Sequence, residues 1–227
     1  MQYNKRDFGK IAKKIVCPLC GFEAEEFRAF GVKPRKNARC PHCGCVERHR
    51  LIWYYIQERR LLTDDCNLLD IAPTRALSAV IKTEYNLLHV SADLSSSEVN
   101  VQMNIEQMPF GYESFDGILC VHVLEHVKDD VGALNELFRV LKPEGWALIN
   151  VPMNENAEYT DEDLGPIQPE EREKRFGQFD HLRIYGRDFI ELCRLAGFSM
   201  EVVSPSVGVA ELHGLLPRER ILLGWKR

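Results

Sequence analysis

Residues 67–152 read NLLDIAPTRALSAVIKTEYNLLHVSADLSSSEVNVQMNIEQMPFGYESFDGILCVHVLEHVKDDVGALNELFRVLKPEGWALINVP, and the fold is decided there. Asn67–Ala72 is a short apolar run stopped by Pro73, and Arg75–Thr83 carries helical spacing. Leu87–Asp93 is a second run, closed by Ser95, Ser96 and Ser97, and Val99–Asn104 is a third. Phe115–Val123 is almost continuously apolar, the pattern of a central parallel strand covered on both faces. In Asp130–Leu141 the residues Val131, Leu134, Phe138 and Leu141 recur at helical intervals, with Asn135, Glu136 and Arg139 opposite. Lys142-Pro143-Glu144-Gly145 predicts a stop, and Trp146–Val151 a fifth strand. This alternation predicts a Rossmann-like α/β sheet. Such sheets bind ligands outside the carboxyl ends of their strands, which is where Asp70, Asp93 and Asn104 fall.

Outward from that core, residues 153–180 are polar and rich in Glu and Pro, an insertion of the kind that is more often functional or mobile than decorative. Gly186–Gly197 predicts a further helix with Gly197 just past its end. Met200–Val203 and Ile221–Trp225 predict a closing antiparallel pair. Upstream, Glu47–Leu62 has one apolar stripe of helical period.

Two knuckles precede that helix, Cys17-Pro-Leu-Cys20-Gly21 and Cys40-Pro-His-Cys43-Gly44, with 19 residues between the pairs. That spacing predicts a ribbon in which Cys17, Cys20, Cys40 and Cys43 hold structural Zn2+ as a closed tetrahedral shell. His42 and Cys45 fit the ligand geometry less well. The organisation expected is a basic arm over 1–16, the ribbon over 17–45 and a connecting helix over 46–62. A domain over 63–227 follows, with a substrate-side insertion at 153–185.

The chain has 227 residues, 45% hydrophobic and 28% charged, enough for one full α/β domain and an appendage. No run of about 18 apolar residues is present, so no membrane span is expected. The N-terminus lacks an apolar signal region, and unpaired C-x-x-C cysteines favour metal over disulfides, so a cytoplasmic location is expected. Residues 1–60 carry 14 basic against 6 acidic residues, or +8, and the remainder 15 against 28, or −13. Such an asymmetry suits a polyanion or phosphorylated partner, or simply a solvated surface.

The segment MNIEQMPFGYESFDGILCVHVLEHVKDDVGALNELFRVLKPEGWALINVP resembles the middle of a class I S-adenosyl-L-methionine-dependent methyltransferase. It is most similar to the methyltransferase type 11 group, with its L-P-F, F-D, L-E-H and R-V-L-K-P-G-G landmarks. The resemblance implies a seven-stranded sheet and an enzyme of methyl transfer. It further implies Asp93 on the ribose hydroxyls with Leu94 beside it, Asp70 toward the methionine ammonium, and Asn104 and Ile105 around adenine. Cys120, Val121 and His122 would line the methionine side, and Glu125 and His126 would shape the pocket. The family's first loop is glycine-rich, whereas here it reads Ala72-Pro73-Thr74-Arg75-Ala76. Pro73 removes a donor and fixes the chain, so loss of cofactor binding is the competing expectation.

For catalysis the bases to consider are His122, His126 and His181. His181 is favoured as base or substrate anchor, with Arg183 and Tyr185 as positioners; alternatively His181 and Arg183 hold the insertion on the sheet. The acceptor expected is an oxygen or nitrogen of a small or carrier-bound substrate. A second expectation is an RNA methyltransferase, since some ribosomal RNA methyltransferases are similar in carrying a zinc ribbon. There Lys33, Arg35, Lys36, Arg39, Arg48 and Arg50 would meet phosphates. In a group of bacterial type 11 methyltransferases that the front of this chain resembles, the ribbon would roof the site, with Glu47, Arg48, His49 and Arg50 facing the substrate. A third expectation is a non-catalytic adaptor keeping the fold.

Overall fold

The computed structural model describes residues 14–31, 34–216 and 218–227. Most of the predicted basic arm, and Lys33, lie outside the described residues. The ribbon contains β1 (Ile15–Val16), β2 (Glu23–Ala24), β3 (Arg28–Phe30) and β4 (Arg35–Arg39), and α1 (Glu47–Arg59) follows. Then come β5 (Asn67–Ile71), α2 (Arg75–Glu84), β6 (Leu88–Asp93), β7 (Val101–Gln102), β8 (Phe115–Val121), α3 (Asp130–Val140) and β9 (Leu141–Asn150). The chain continues through β10 (Asp161–Glu162), α4 (Pro169–Phe176), β11 (Arg183–Ile184), α5 (Phe189–Leu195), β12 (Ser199–Val203), α6 (Val207–His213) and β13 (Ile221–Trp225).

The main sheet has seven strands in the order β12-β13-β9-β8-β5-β6-β7. β5 to β9 pair in parallel, whereas β13 runs antiparallel to both β9 and β12. From β5 the chain winds one way to β6 and β7, and from β8 the other way to β9. The order therefore reverses between β5 and β8, and ligands of open sheets bind beyond the carboxyl ends at such a reversal.

Strand periodicity feeds two cores. Leu69, Ile71, Ile118, Cys120, Ala147 and Ile149 face α3 and α5 through Leu134, Leu137, Phe189 and Cys193. Their neighbours Leu68, Leu119 and Leu148 face α1, α2 and α6 through Leu51, Ile56, Ile81 and Ala210. Each large aliphatic buried this way contributes about 1.5–3 kcal/mol. Cys17, Leu19 and Phe27 of the ribbon join the second core, so the ribbon, α1 and one face of the sheet fold as one packed body.

Several local expectations are corrected. The third strand shrinks to Val101–Gln102, because Asn100 turns its side-chain oxygen to the Ser91 amide and hydroxyl at 2.9 and 2.7 Å. Lys142–Gly145 does not precede a strand but bulges within one: Phe115 pairs with Leu141 and Gly117 already with Trp146. Gly117 is required there, since a Cβ would lie 2.4 Å from the Trp146 ring, whose Nε1 donates to Leu61 O. α5 begins at Phe189 and closes as expected on Gly197, with Phe198 N donating to Cys193 O. The helix α6 was not expected from the sequence, although Ser206 caps it by accepting from Val209 N.

Candidate active site

The two strands at the reversal end in unusual backbone. Ala72 after β5 has φ +51°, and His122 after β8 has φ +57°. L-residues resist this left-handed region by about 1–2 kcal/mol, and such outliers gather at ligand sites. Ala72 thus takes the bend that a glycine would take, held by its amide on Ala92 O at 2.8 Å, while His122 N donates to Asn150 O at 2.7 Å. One position of the glycine-poor loop thus takes a backbone conformation that usually favours glycine.

Between these tips lies a cleft of about 610 Å³, within the range of small-molecule sites. Ala72, Asp93, Leu94, Asn104, Ile105, His122 and His126 all line it. Asp93 is fixed for recognition: its Oδ1 accepts the Ser95 and Ser96 amides, both at 2.8 Å. Asn104 Oδ1 accepts the Glu106 amide at 3.0 Å, and its Nδ2 donates to Glu106 Oε2 at 3.1 Å. Ile105 is buried and Leu94 is 73% exposed, so apolar surface flanks the two polar tips. Met103, Glu106, Val127 and Asp180 also border the cleft; none stands in a strand-tip motif that would have singled it out. The cleft suits an adenosyl group, with a carboxylate for diol recognition and apolar walls for a base.

Other expected residues sit elsewhere. Asp70 is corrected: its carboxylate is buried and Oδ2 accepts from Ser78 Oγ at 2.8 Å and meets His89 Nε2 at 3.0 Å, so it is spent beneath the sheet. Cys120 is corrected too, since it packs in the core against α3 and α5, and Val121 packs against the opposite core. Pro73 borders an adjoining hollow with Arg75 and Ser78, which shares Asp93 with the cleft. Arg183 and Tyr185 are both wholly buried and cannot touch substrate, which corrects their role as substrate positioners. Arg183 donates to the carbonyls of Leu124, Val127 and Lys128 and pairs with Glu162. The Tyr185 hydroxyl lies 3.1 Å from Leu124 O and 2.9 Å from Asp130 Oδ2. Together they brace the Leu124–His126 turn, and with Leu182 N on Glu125 O at 2.8 Å they fasten the insertion to it.

That brace gathers ionisable groups at the mouth of the cleft. His126 Nδ1 is 3.3 Å from Asp180 Oδ2, and its ring meets the His181 ring edge-on at 4.8 Å. His181 is buried and its Nδ1 donates to Phe176 O at 3.0 Å. Burial holds its pKa below the usual imidazole value. His122 Nδ1 lies 3.0 Å from Glu125 Oε1.

The ribbon packs against the other core of the sheet and contributes no residue to the cleft's lining. In each knuckle the glycine has positive φ (Gly21 +69°, Gly44 +74°) and its amide donates back to the first cysteine's carbonyl. Cys17 and Cys43 sulfurs stand 3.7 Å apart, and Cys20 and Cys40 3.8 Å. Zn–S bonds of about 2.3 Å in a tetrahedron demand about 3.8 Å, so the four thiols fit the ion. Burial pushes the Cys20 thiol up to about 11 and that of Cys43 to about 12, whereas Cys40 is held below the usual thiol value. Cys45 is buried 3.4 Å from Cys17.

Two of the basic residues near the ribbon, Arg50 and Arg35, are committed, which corrects the phosphate-binding expectation for them. Arg50 is fully buried and donates to the carbonyls of Asn37, Ala38, Cys45, His213 and Gly214. Arg35 pairs with Glu47 at 2.8 Å. Lys36 and Arg39 are exposed. Glu47, His49 and Arg50 are buried and do not face a substrate. Burial, and then the charges of Arg48 and His122, lower His49 to about 3.

Residues 65–149 match the family model described as "Methyltransferase domain". The chain is 35% identical over 65 residues to the ubiquinone biosynthesis O-methyltransferase of Paracidovorax citrulli (strain AAC00-1), 29% of this chain and 26% of that protein. The chain therefore spans about a quarter of the length of the curated relatives it matches. A SAM dependent methyltransferase from Archaeoglobus fulgidus superposes with a TM-score of 0.52, at 12% identity over 78% of this chain and 94% of that one. The [4+2]-cyclase SpnF does so with a TM-score of 0.54, at 19% identity over 72% and 63%. Identities so low establish the fold, a Rossmann-like methyltransferase fold. No described helix is long and apolar enough to cross a membrane.

Proposed function

With residues 65–149 forming a methyltransferase domain, we propose that the chain transfers a methyl group from S-adenosyl-L-methionine to an oxygen or nitrogen of a small or carrier-bound metabolite. One observation carries this reading: the cleft at the strand reversal keeps its glycine-type bend at Ala72 and its fixed carboxylate at Asp93. A scaffold released from cofactor binding has no reason to retain a strained alanine there.

The bound cofactor supplies an electrophilic methyl carbon on a sulfonium. Asp93 accepts hydrogen bonds from the ribose diol, its geometry set beforehand by Ser95 and Ser96, and Ile105 packs on the base. With the cofactor so held, the acceptor would enter beside His126 and Asp180, which also line the cleft. An acceptor lone pair placed there would meet the methyl carbon that the cofactor supplies, sulfur keeping the electrons of the bond it loses. The acceptor's proton leaves to the His126–Asp180 pair, a contribution of about 10²–10⁴ in rate. His181, behind His126, orients it rather than taking the proton first. The ribbon holds Zn2+ through Cys17, Cys20, Cys40 and Cys43 as a structural clip, and its thiols suit a reducing, cytoplasmic compartment.

An RNA substrate is less well supported, because Arg50 and Arg35 are engaged within the chain. The fold alone does not decide the chemistry, as the cyclase neighbour illustrates. The test is calorimetric titration of the zinc-containing protein with S-adenosylmethionine and its demethylated product. One site per chain and a raised melting temperature are expected; no heat and no melting shift would end this reading.

A further inference from the structure

We propose that Glu125, His126 and His181 form a second metal site, for a first-row divalent cation, at the mouth of the cleft and apart from the ribbon. One donor atom from each of the three lies within 4.8 Å of the others. Metal bonds of about 2.0–2.2 Å place adjacent donors about 3–3.5 Å apart, a closure within the reach of side-chain rotation. Two imidazoles and a carboxylate with open positions are a donor set for first-row divalent ions.

Three details distinguish this from a casual cluster. Glu125 is completely buried, and its Oε2 has no hydrogen-bond partner among the described residues. Buried carboxylate oxygens are ordinarily paired or bound to metal. Among the described residues, its ionisable neighbours within 4.0 Å are the imidazoles of His122 and His181, with no lysine or arginine. Second, His181 donates its Nδ1 proton to Phe176 O, which leaves the Nε2 lone pair on the side of Glu125, 4.0 Å away. A backbone carbonyl fixing the far nitrogen is the usual second support of a metal-binding histidine. Third, His126 is exposed to the cleft, which gives the ion an entry path and keeps positions open toward an acceptor.

The catalytic consequence rests on the methyl-transfer reading, whereas the metal itself does not. An acceptor hydroxyl on the cation would ionise near neutral pH. With the cation bound, His126 is a ligand and no longer shares in accepting the proton, which Asp180 alone would take, while the oxygen forms its bond to the methyl carbon and sulfur keeps the electrons of the bond it loses. The site therefore favours an oxygen acceptor, above all one with a neighbouring oxygen to chelate.

The experiment uses full-length protein with zinc in its ribbon, confirmed by elemental analysis, titrated with Co2+ and read by visible absorption. One equivalent with weak d–d bands and no sulfur charge-transfer band is expected. In His126→Ala, an exposed position, and in the near-isosteric Glu125→Gln, cobalt affinity should fall by at least about tenfold, with melting traces showing that both fold. No cobalt uptake by the wild type, or equal uptake by both variants, overturns the site. Cofactor titration without added metal is scored separately. Cobalt without cofactor binding would sink the enzymatic reading and keep the site; cofactor without cobalt would do the reverse.

Discussion

The ribbon with α1 and the strand-tip cleft treat their polar groups in opposite ways. Around the ribbon, charge is consumed inside the chain: Arg50 is shared by five carbonyls and Arg35 is matched to Glu47. Around the cleft, groups are left over: the Oε2 of Glu125 is unpartnered, and Ala72 and His122 sit in left-handed backbone. Left-handed backbone and unpartnered atoms also occur around the ribbon and α1, at Asn37, Arg60 and His49 Nε2; what sets the cleft apart is that Ala72 and His122 converge on one cavity. Cysteine content alone would have drawn attention to the wrong half.

The comparison breaks most visibly by chelating the metal proposed for the four cysteines. Metal binding worth about 10–16 kcal/mol in small modules rivals the whole stability of a domain, about 5–15 kcal/mol. Because the ribbon shares a core with the sheet, chelation should abolish the cooperative thermal transition of the entire chain. A sheet that melts unchanged after chelation would show the ribbon to be a separate module. Next, Arg50→Met should cost about 3–5 kcal/mol in urea unfolding by orphaning five carbonyls. Lys36→Met on the same ribbon should stay within about 0.5 kcal/mol.

On the other side of the comparison, Asp93→Ala should weaken S-adenosylmethionine binding about 10–100-fold. That follows from charge-assisted hydrogen bonds of about 1.5–3 kcal/mol, and calorimetry reads it. Acid sharpens the boundary between the two regions at His49, whose folded pKa of about 3 lies below the ordinary 6.5. The unfolded chain takes up the proton first. Stability present above pH 6.5 is thus lost as pH falls toward 3, by about 1.4 kcal/mol per unit. His49→Gln should flatten that slope in acid denaturation. Apart from the Lys36→Met control, the smallest effect belongs to Ala72→Gly. Relief of about 1–2 kcal/mol of left-handed strain, offset by about 0.5–1 of backbone entropy, should raise stability by about 0.5–1 kcal/mol in chemical denaturation.

The sheet was legible in the sequence because parallel central strands leave near-continuous apolar runs, as in Phe115–Val121, and turns leave proline and serine. The knuckles were legible because Gly21 and Gly44 sit where the turn demands them. What could not be read was partner choice over long separations. Arg50, Arg183 and Tyr185 look like surface or catalytic residues until the fold puts carbonyls around them. Asp70 follows a family pattern, yet His89, one strand over, captures it. The missing glycine at Ala72 suggested a lost function because composition reports the residue and not its φ.

The Arg50 clasp also has a temporal meaning. Its guanidinium reaches carbonyls from Asn37, 13 positions back, to Gly214, 164 positions ahead. During synthesis both knuckles emerge well before Gly214, so the arginine waits a further 164 positions for its last acceptor. The final helix therefore acts as a latch on the first module, and a ribosome stalled before Gly214 would release a nascent chain whose closure is incomplete.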